Sequence, residues 1–246
     1  GSWQHVVGVY NRSLPSNQLR FYVNGALCGS ATVANEALLG VGGFGVDIGR
    51  WPQSTSYLTG KLDEVQIYSG ALSDAQITQL YQDGLAGLGG PTVIQSEETS
   101  LSQVWDLDIT AISTIGAIGS TVSSGNDVTI TAASSVSVSL NNGIATLGAG
   151  NDLTSQVSGL ASDIGAYRWT VNSTNYTALN MPFNAGSTQT DFSGNGYAAT
   201  AAGNAAYTSS GCKVGGCFTF DGTNDYVALP STAPLLSLSA LTISLW

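Results

Sequence analysis

Charge is what this chain has least of. Its 246 residues include six Lys and Arg against 16 Asp and Glu, so charged residues make up only 9%, well below the quarter or so usual in a soluble chain. Gly, Ser, Thr, Ala and Asn take their place. The shortage is not the signature of disorder, which pairs high net charge with low hydrophobicity. Hydrophobic residues reach 43%, enough for a sizeable core. The few charges are unbalanced, at a net −10. Such a surface repels phosphate backbones and anionic lipid heads, so nucleic acid and membrane are poor partners, while cations such as calcium are attracted. No apolar run reaches the roughly 18 residues of a membrane-spanning helix.

Histidine and cysteine are nearly as scarce. His5 is the only histidine, so the C-x₄-C of Cys212 and Cys217 lacks the companions of a zinc site. A local disulfide between those two is the favoured reading, and it implies an oxidising compartment. Three buried thiols, Cys28 included, are the alternative. The chain opens Gly1-Ser2-Trp3 without initiator Met or signal peptide and reads as a processed or excised piece. Its length suits one or two domains.

What is present is mostly strand. Val6, Val7, Val9 and Tyr10 form one run. Leu19, Phe21 and Val23 alternate with Arg20 and Tyr22, and Asn24-Gly25 follows as a hairpin signal. Leu62, Val65 and Ile67 form another run. One short helix is expected near 73–83: Ser73 and Gln76 make a capping box, Ile77, Leu80 and Tyr81 one apolar stripe, and Gly84 a stop. Residues 84–91 are a Gly-rich joint. Beyond it, Trp105, Leu107 and Ile109 sit around Asp106 and Asp108. Residues 127–131 alternate, as do Val136, Val138 and Leu140 with serines, ending at Asn142-Gly143. Asp163-x-Gly165-x-Tyr167 is followed by Trp169. Strands resume over 179–183, 217–220, 226–229 and 241–246.

Two resemblances organise these runs. Ser2–Tyr10, Leu19–Gly25, Ile48–Trp51, Gly60–Tyr68 and Ala71–Tyr81 resemble, in order, the C-terminal half of a laminin-G-like, concanavalin A-like jelly roll. Leu179–Phe183, Asp191–Gly196, Val214–Gly216, Phe218–Val227 and Leu241–Trp246 resemble its N-terminal half. Between them, the D-x-G-x-Y run resembles the tyrosine corner of an Ig-like domain, with Trp169 in the place of the second Ig cysteine. The resemblance implies an all-β chain: 1–86 a jelly-roll C-terminal half, 87–91 a joint, 92–176 an Ig-like β-sandwich, and 177–246 a jelly-roll N-terminal half. The halves are in reversed order, and the family's central strands between the equivalents of Trp246 and Trp3 are absent. A jelly roll so depleted exposes sheet edges and core. The halves could pair within one chain, belong to successive copies of an array, or pair between subunits head to tail. The array and filament readings are favoured, with Trp3 and Trp246 at raw edges for a copy of the chain or an adjacent repeat to cover.

No catalytic constellation emerges. Gly40-Val-Gly-Gly-Phe-Gly45 matches G-x-G-x-x-G but leads into a strand rather than a helix. The E-x-D-x-E pattern of concanavalin-like glucanases is missing. Asp106 and Asp108 share one face, expected on the solvent side; Asp63 and Glu64 would face opposite sides of a strand. No G-x-S-x-G elbow accompanies His5. Asp191-Phe-Ser-Gly-Asn-Gly196 has oxygen ligands at alternate positions, as the first half of an EF-hand loop does, but Ala202 stands where the bidentate Glu would be. Laminin-G-like relatives commonly hold a rim calcium, so the resemblance makes Asp191 and Asn195 the first candidate ligands, then Asp63, Asp221 and Asp225; turn capping is the alternative. Trp51, Tyr57 and Trp3 could stack on a glycan, although core packing is their commoner role. Asn11, Asn172 and Asn175 open N-glycosylation sequons.

Two functions follow as expectations. The first is a non-catalytic, extracellular or cell-surface structural or adhesive repeat protein, assembling head to tail into a filament, sheath or array. The second is a calcium-dependent carbohydrate-binding module of a larger secreted enzyme, which rests on fold analogy.

Overall fold

The computed structural model describes residues 1–33, 46–51, 55–88, 90, 93–94, 103–112, 118–124, 128–131, 146–148, 153–154, 164–184, 189–229 and 238–246. The glycine motif at 40–45, Asp127, the alternation at 136–143, Asp163 and parts of the 84–91 joint lie outside them.

The first segment holds β1 (Val6–Asn11), β2 (Leu19–Val23), β3 (Ala26–Ala31), β4 (Asp47–Ile48), β5 (Thr59–Leu62), β6 (Val65–Tyr68) and α1 (Asp74–Leu85). The middle holds β7 (Val93–Ile94), β8 (Val104–Ile112), β9 (Ile118–Ser123), β10 (Val128–Thr131), β11 (Thr146–Gly148), β12 (Leu153–Thr154), β13 (Ile164–Val171) and β14 (Thr174–Asn175). The last holds β15 (Thr177–Met181), β16 (Thr200–Ala202), β17 (Ala206–Thr208), β18 (Cys217–Asp221), β19 (Tyr226–Ala228) and β20 (Ala240–Leu245). With one short helix among these strands, the chain is all-β.

The two outer segments interleave in one chain. A six-stranded sheet runs β15-β6-β20-β1-β2-β3, and two three-stranded sheets run β16-β19-β4 and β17-β18-β5. Every one of these sheets mixes strands from both segments. β1 lies antiparallel to β20 from Val6↔Leu245 to Asn11↔Ala240. In the single chain the two outer segments pair with each other. In the antiparallel pair alternate residues exchange both backbone hydrogen bonds across the seam, and the chain supplies both strands itself.

Each face of the six-stranded sheet has its own core. On one side, Val65, Ile67, Leu179 and Met181 pack against Ile48, Phe218, Phe220 and Val227 of the small sheets. On the other, Val7, Val9, Tyr22 and Tyr68 pack under Ile77 and Leu80 of α1. Burial of each such side chain contributes roughly 1.5–3 kcal/mol. The helix starts where the sequence puts it, with Ser73 and Gln76 forming the reciprocal capping box. It does not stop at Gly84. It continues to Leu85, with Ala86 as C-cap and Gly87 taking the left-handed conformation at φ 75°. Gly84 stays helical because its bare face lies against the Trp246 indole.

In the middle segment, β11-β10-β8-β13-β14 form one sheet with β9 added to β8, and β7 pairs with β12. Trp105, Leu107, Tyr167 and Trp169 are its core, with the two indoles edge to face at 6.5 Å. The segment is tied to the outer two by Tyr176, whose hydroxyl accepts from Gln76 Nε2 at 3.0 Å and whose ring meets both Trp105 and Tyr68.

Candidate functional site

The five candidate calcium ligands fall into three separate places, each occupied with holding backbone. Asp191 Oδ1 accepts from Asn180 N and Ser193 N, and Oδ2 from Ser193 Oγ and Tyr197 N. Asn195 Oδ1 accepts from Asn175 Nδ2, while its own amide donates to Ala178 O. Asp225 spans Asn204 N and Asp221 N, and Asp221 caps Thr223 N. Asp63 is elsewhere. Among the described residues no three His, Cys, Asp or Glu converge as a metal cage needs. The arrangement is that of turn capping.

Asp63 is the most committed of these groups. It is fully buried, and Oδ2 accepts from Lys213 N at 2.9 Å and Val214 N at 2.8 Å, Oδ1 from Glu64 N at 2.9 Å. Its own N–H and C=O pair with Trp246, both at 2.9 Å. The loop it holds is closed by the disulfide Cys212–Cys217. Glu64 turns away through a left-handed φ of 49°. Its Oε1 accepts from Asn184 Nδ2 at 2.9 Å, and its Oε2 has no hydrogen-bond partner. Burial drives both carboxyls upward, and the neighbouring Asp63 raises Glu64 further. Three backbone N–H donors oppose the rise at Asp63, whereas Asn184 alone opposes it at Glu64. Both lie between β5 and β6 rather than within a strand, and both are buried.

The aromatic candidates separate. Trp51 is not core: it is 63% exposed, and Tyr57, paired with Arg50 across a bridge, is half-buried beside it in the strand pair. Arg50 is fixed by Asp47 at 2.8 Å and lies 3.6 Å over the Tyr226 ring. Trp3 instead donates to Gly211 O. Trp246 is no raw edge. It is buried in a stack with His5 at 5.1 Å and Tyr81 at 5.6 Å, with Lys213 4.5 Å over its ring. Burial lowers His5 to about 4, which keeps the ring neutral at pH 7.

Asp108 departs from its expected solvent side. It is buried and paired with Arg168 and Ser123, because Arg168 lies directly opposite in the β8–β13 register. Of the sequon asparagines, Asn172 is exposed at the β13–β14 turn, whereas Asn11 and Asn175 are half-buried and bonded through their amides. Thr177 of the third sequon is buried.

One opening is a feature the sequence did not single out. One row of register partners crosses the whole sheet: Leu179, Ile67, Ile243, Gly8, Phe21 and Gly29. Leu179 and Ile67 are buried under the small sheets, while Ile243 is 38% and Phe21 48% exposed. Among the described residues the cover ends at β20. A second row, Leu241, Tyr10, Leu19 and Ala31, runs beside it. Together they floor a groove of about 590 Å³. Its one charged lining residue, Arg20, sends its guanidinium to Asp74 and Leu72 O on the helix side.

Residues 1–78 match the family model of the concanavalin A-like lectin/glucanases superfamily. This span carries β1 to β6 and the start of α1. It supports a jelly-roll, lectin/glucanase-like domain, compatible with a carbohydrate-binding or adhesive role outside the cell. No curated protein and no solved structure matches the chain.

Proposed function

We propose that the chain is a non-catalytic structural or adhesive module of a cell surface, sheath or filament, a laminin-G-like jelly roll with an Ig-like sandwich between its halves. The observation that carries this reading is the open groove. A contiguous apolar face of this kind marks an interaction surface, and its scarcity of polar groups suits protein rather than a reacting substrate. The disulfide Cys212–Cys217 supports an oxidising, extracellular setting. Because β1 and β20 pair in one chain, assembly in this reading uses surfaces other than strand exchange between 1–86 and 177–246. Antibody labelling of intact, unpermeabilised producing cells tests it. Surface label, with ordered polymers in native material by electron microscopy, is expected. Label only after permeabilisation, with monodisperse particles, overturns it.

A second reading, glycan binding, is favoured by Trp51 alone. If Trp51 stacks on a sugar, Trp51→Ala costs about tenfold in glycan-array affinity, the equivalent of about 1.4 kcal/mol. Chelator leaves that affinity unchanged, since the candidate calcium ligands already hold backbone. Absence of any sugar retained by the wild-type protein removes this reading.

A further inference from the structure

We propose that the cavity between α1, β6 and Trp246 is a binding site for a single water molecule, which joins the His5 imidazole to the Glu64 carboxyl. The water would be a built-in part of the place where the three segments of the chain meet.

His5, Glu64, Gln66, Gly84, Ser244 and Trp246 wall this cavity of about 10 Å³, the room one water needs. Gly90, also in the wall, lies against the Tyr167 side chain of the middle segment. Two wall residues each have a polar atom to spare. His5 is 1% exposed. Its Nε2 is bonded to Ser244 Oγ at 2.9 Å, and its Nδ1 has no hydrogen-bond partner. Glu64 is 5% exposed. Its Oε1 is taken by Asn184, and its Oε2 has no partner. Buried side-chain atoms of this kind are few among the described residues, and two of them belong to one cavity. Buried polar groups are nearly always paired, directly or through ordered water. Gln66 adds a donor: its Oε1 accepts from the Tyr68 hydroxyl, so toward a guest it has its amide N–H to give.

Water fits better than other guests. With the Nε2–H tautomer donating to Ser244, His5 Nδ1 accepts one proton of the water. The water oxygen accepts from Gln66. Glu64 Oε2 accepts the second proton when the carboxyl is ionised and donates its own when it is protonated. That gives about three partners, the usual number for a buried water. An apolar guest would leave all of these groups unpaired. Ammonium is of similar size but has no acceptor for the Gln66 N–H. A divalent metal needs converging ligands, and among the described residues no three His, Cys, Asp or Glu provide them. Asp83, the other carboxylate in the wall, accepts from Gln79 Nε2 at 2.8 Å.

Nuclear magnetic resonance of the full chain tests the site with water itself as the probe. Cross-relaxation from water is expected at the His5 ring protons and at the Trp246 indole N–H. The nitrogen spectrum of His5 is expected to show the proton on Nε2 and a hydrogen-bonded acceptor at Nδ1. Relaxation dispersion of oxygen-labelled water counts long-lived internal waters by their oxygen, so exchanging protons do not mislead it. In His5→Phe, which removes both ring nitrogens, its amplitude falls by the equivalent of one water; Glu64→Gln, which keeps hydrogen-bonding atoms in the wall, retains it. Should His5→Phe fail to fold, the wild-type cross-relaxation decides alone. Absence of cross-relaxation at both rings, an unchanged dispersion in folded His5→Phe, or displacement of the water signal by labelled ammonium each overturns the inference. None of these results bears on surface labelling of producing cells, so failure here is distinct from failure of the adhesive reading.

Discussion

Asp63→Ala lowers the stability of the interleaved outer segments by about 3–5 kcal/mol, the cost of breaking a buried, charge-assisted network at one partner. The carboxylate accepts from three backbone N–H groups, of Glu64, Lys213 and Val214. Alanine leaves all three buried without an acceptor. Two of them belong to the loop at the disulfide and one to the strand start, so a single side chain joins segments about 150 residues apart in sequence. Asp63→Asn keeps one acceptor but turns an amide N–H₂ toward backbone donors, and falls between wild type and alanine. Urea unfolding followed by tryptophan fluorescence measures the loss. A change below about 1 kcal/mol, the range of an ordinary surface substitution, would mean that the carboxylate is not buried as described. The same measurement separates the capping role from calcium binding, since the wild-type midpoint is expected to be indifferent to chelator.

Gly84→Ala destabilises by about 1–3 kcal/mol, where helix propensity alone would have it stabilise by about 1 kcal/mol. A Cβ at residue 84 would sit 2.5 Å from Cζ2 and 2.6 Å from Cε2 of Trp246. The indole cannot simply move aside. His5 and Tyr81 stack against it, Lys213 lies over it, and its backbone is bonded both ways to Asp63. The clash couples a helix from the first segment to the last residue of the third. A Gly84→Ala/Trp246→Ala double-mutant cycle should therefore be strongly non-additive. Thermal denaturation of the two single variants and the double variant reads it out; additivity would place Trp246 away from α1.

Much of the fold was legible where a local rule was strong. The capping box at Ser73 and Gln76, the Asn24-Gly25 turn with φ of 52° and 76°, and the disulfide at C-x₄-C all follow from short-range chemistry. Elements fixed by long-range contact were harder to read. Gly84 looks like a helix stop until Trp246 arrives from 162 positions away. Asp108 alternates with buried neighbours and so looks exposed, but the opposing Arg168 lets it lie buried as an ion pair. Trp51 reads as core by residue type, yet no described element covers it.

The groove shows the same limit most clearly. Leu19 and Phe21 alternate with Arg20 and Tyr22, and hydrophobicity alone points the first pair inward. Both faces of β2 meet an apolar row, however, and α1 covers the face of Tyr22. The Leu19 and Phe21 face would be closed only by further cover in the opposing layer, which among the described residues ends at β20. Periodicity tells which residues share a face, and only the stacking of layers tells which face is left open. Reversed order in the sequence likewise says nothing of which chain completes the sheet; the β1–β20 seam is where that is tested.

The seam can be tested in one measurement. Arg12 N donates to Ser239 O at 3.2 Å, and both residues are exposed. In a Cys28→Ser background, Arg12→Cys and Ser239→Cys present two thiols that a short bismaleimide can bridge. Intact mass and a denaturing gel then report where the bridge forms. In-chain pairing predicts a single linker within a monomer, at every protein concentration and after dilution with unlabelled chain. A covalent ladder of joined chains, lost on dilution, would show instead that residues 1–86 and 177–246 complete one another between copies.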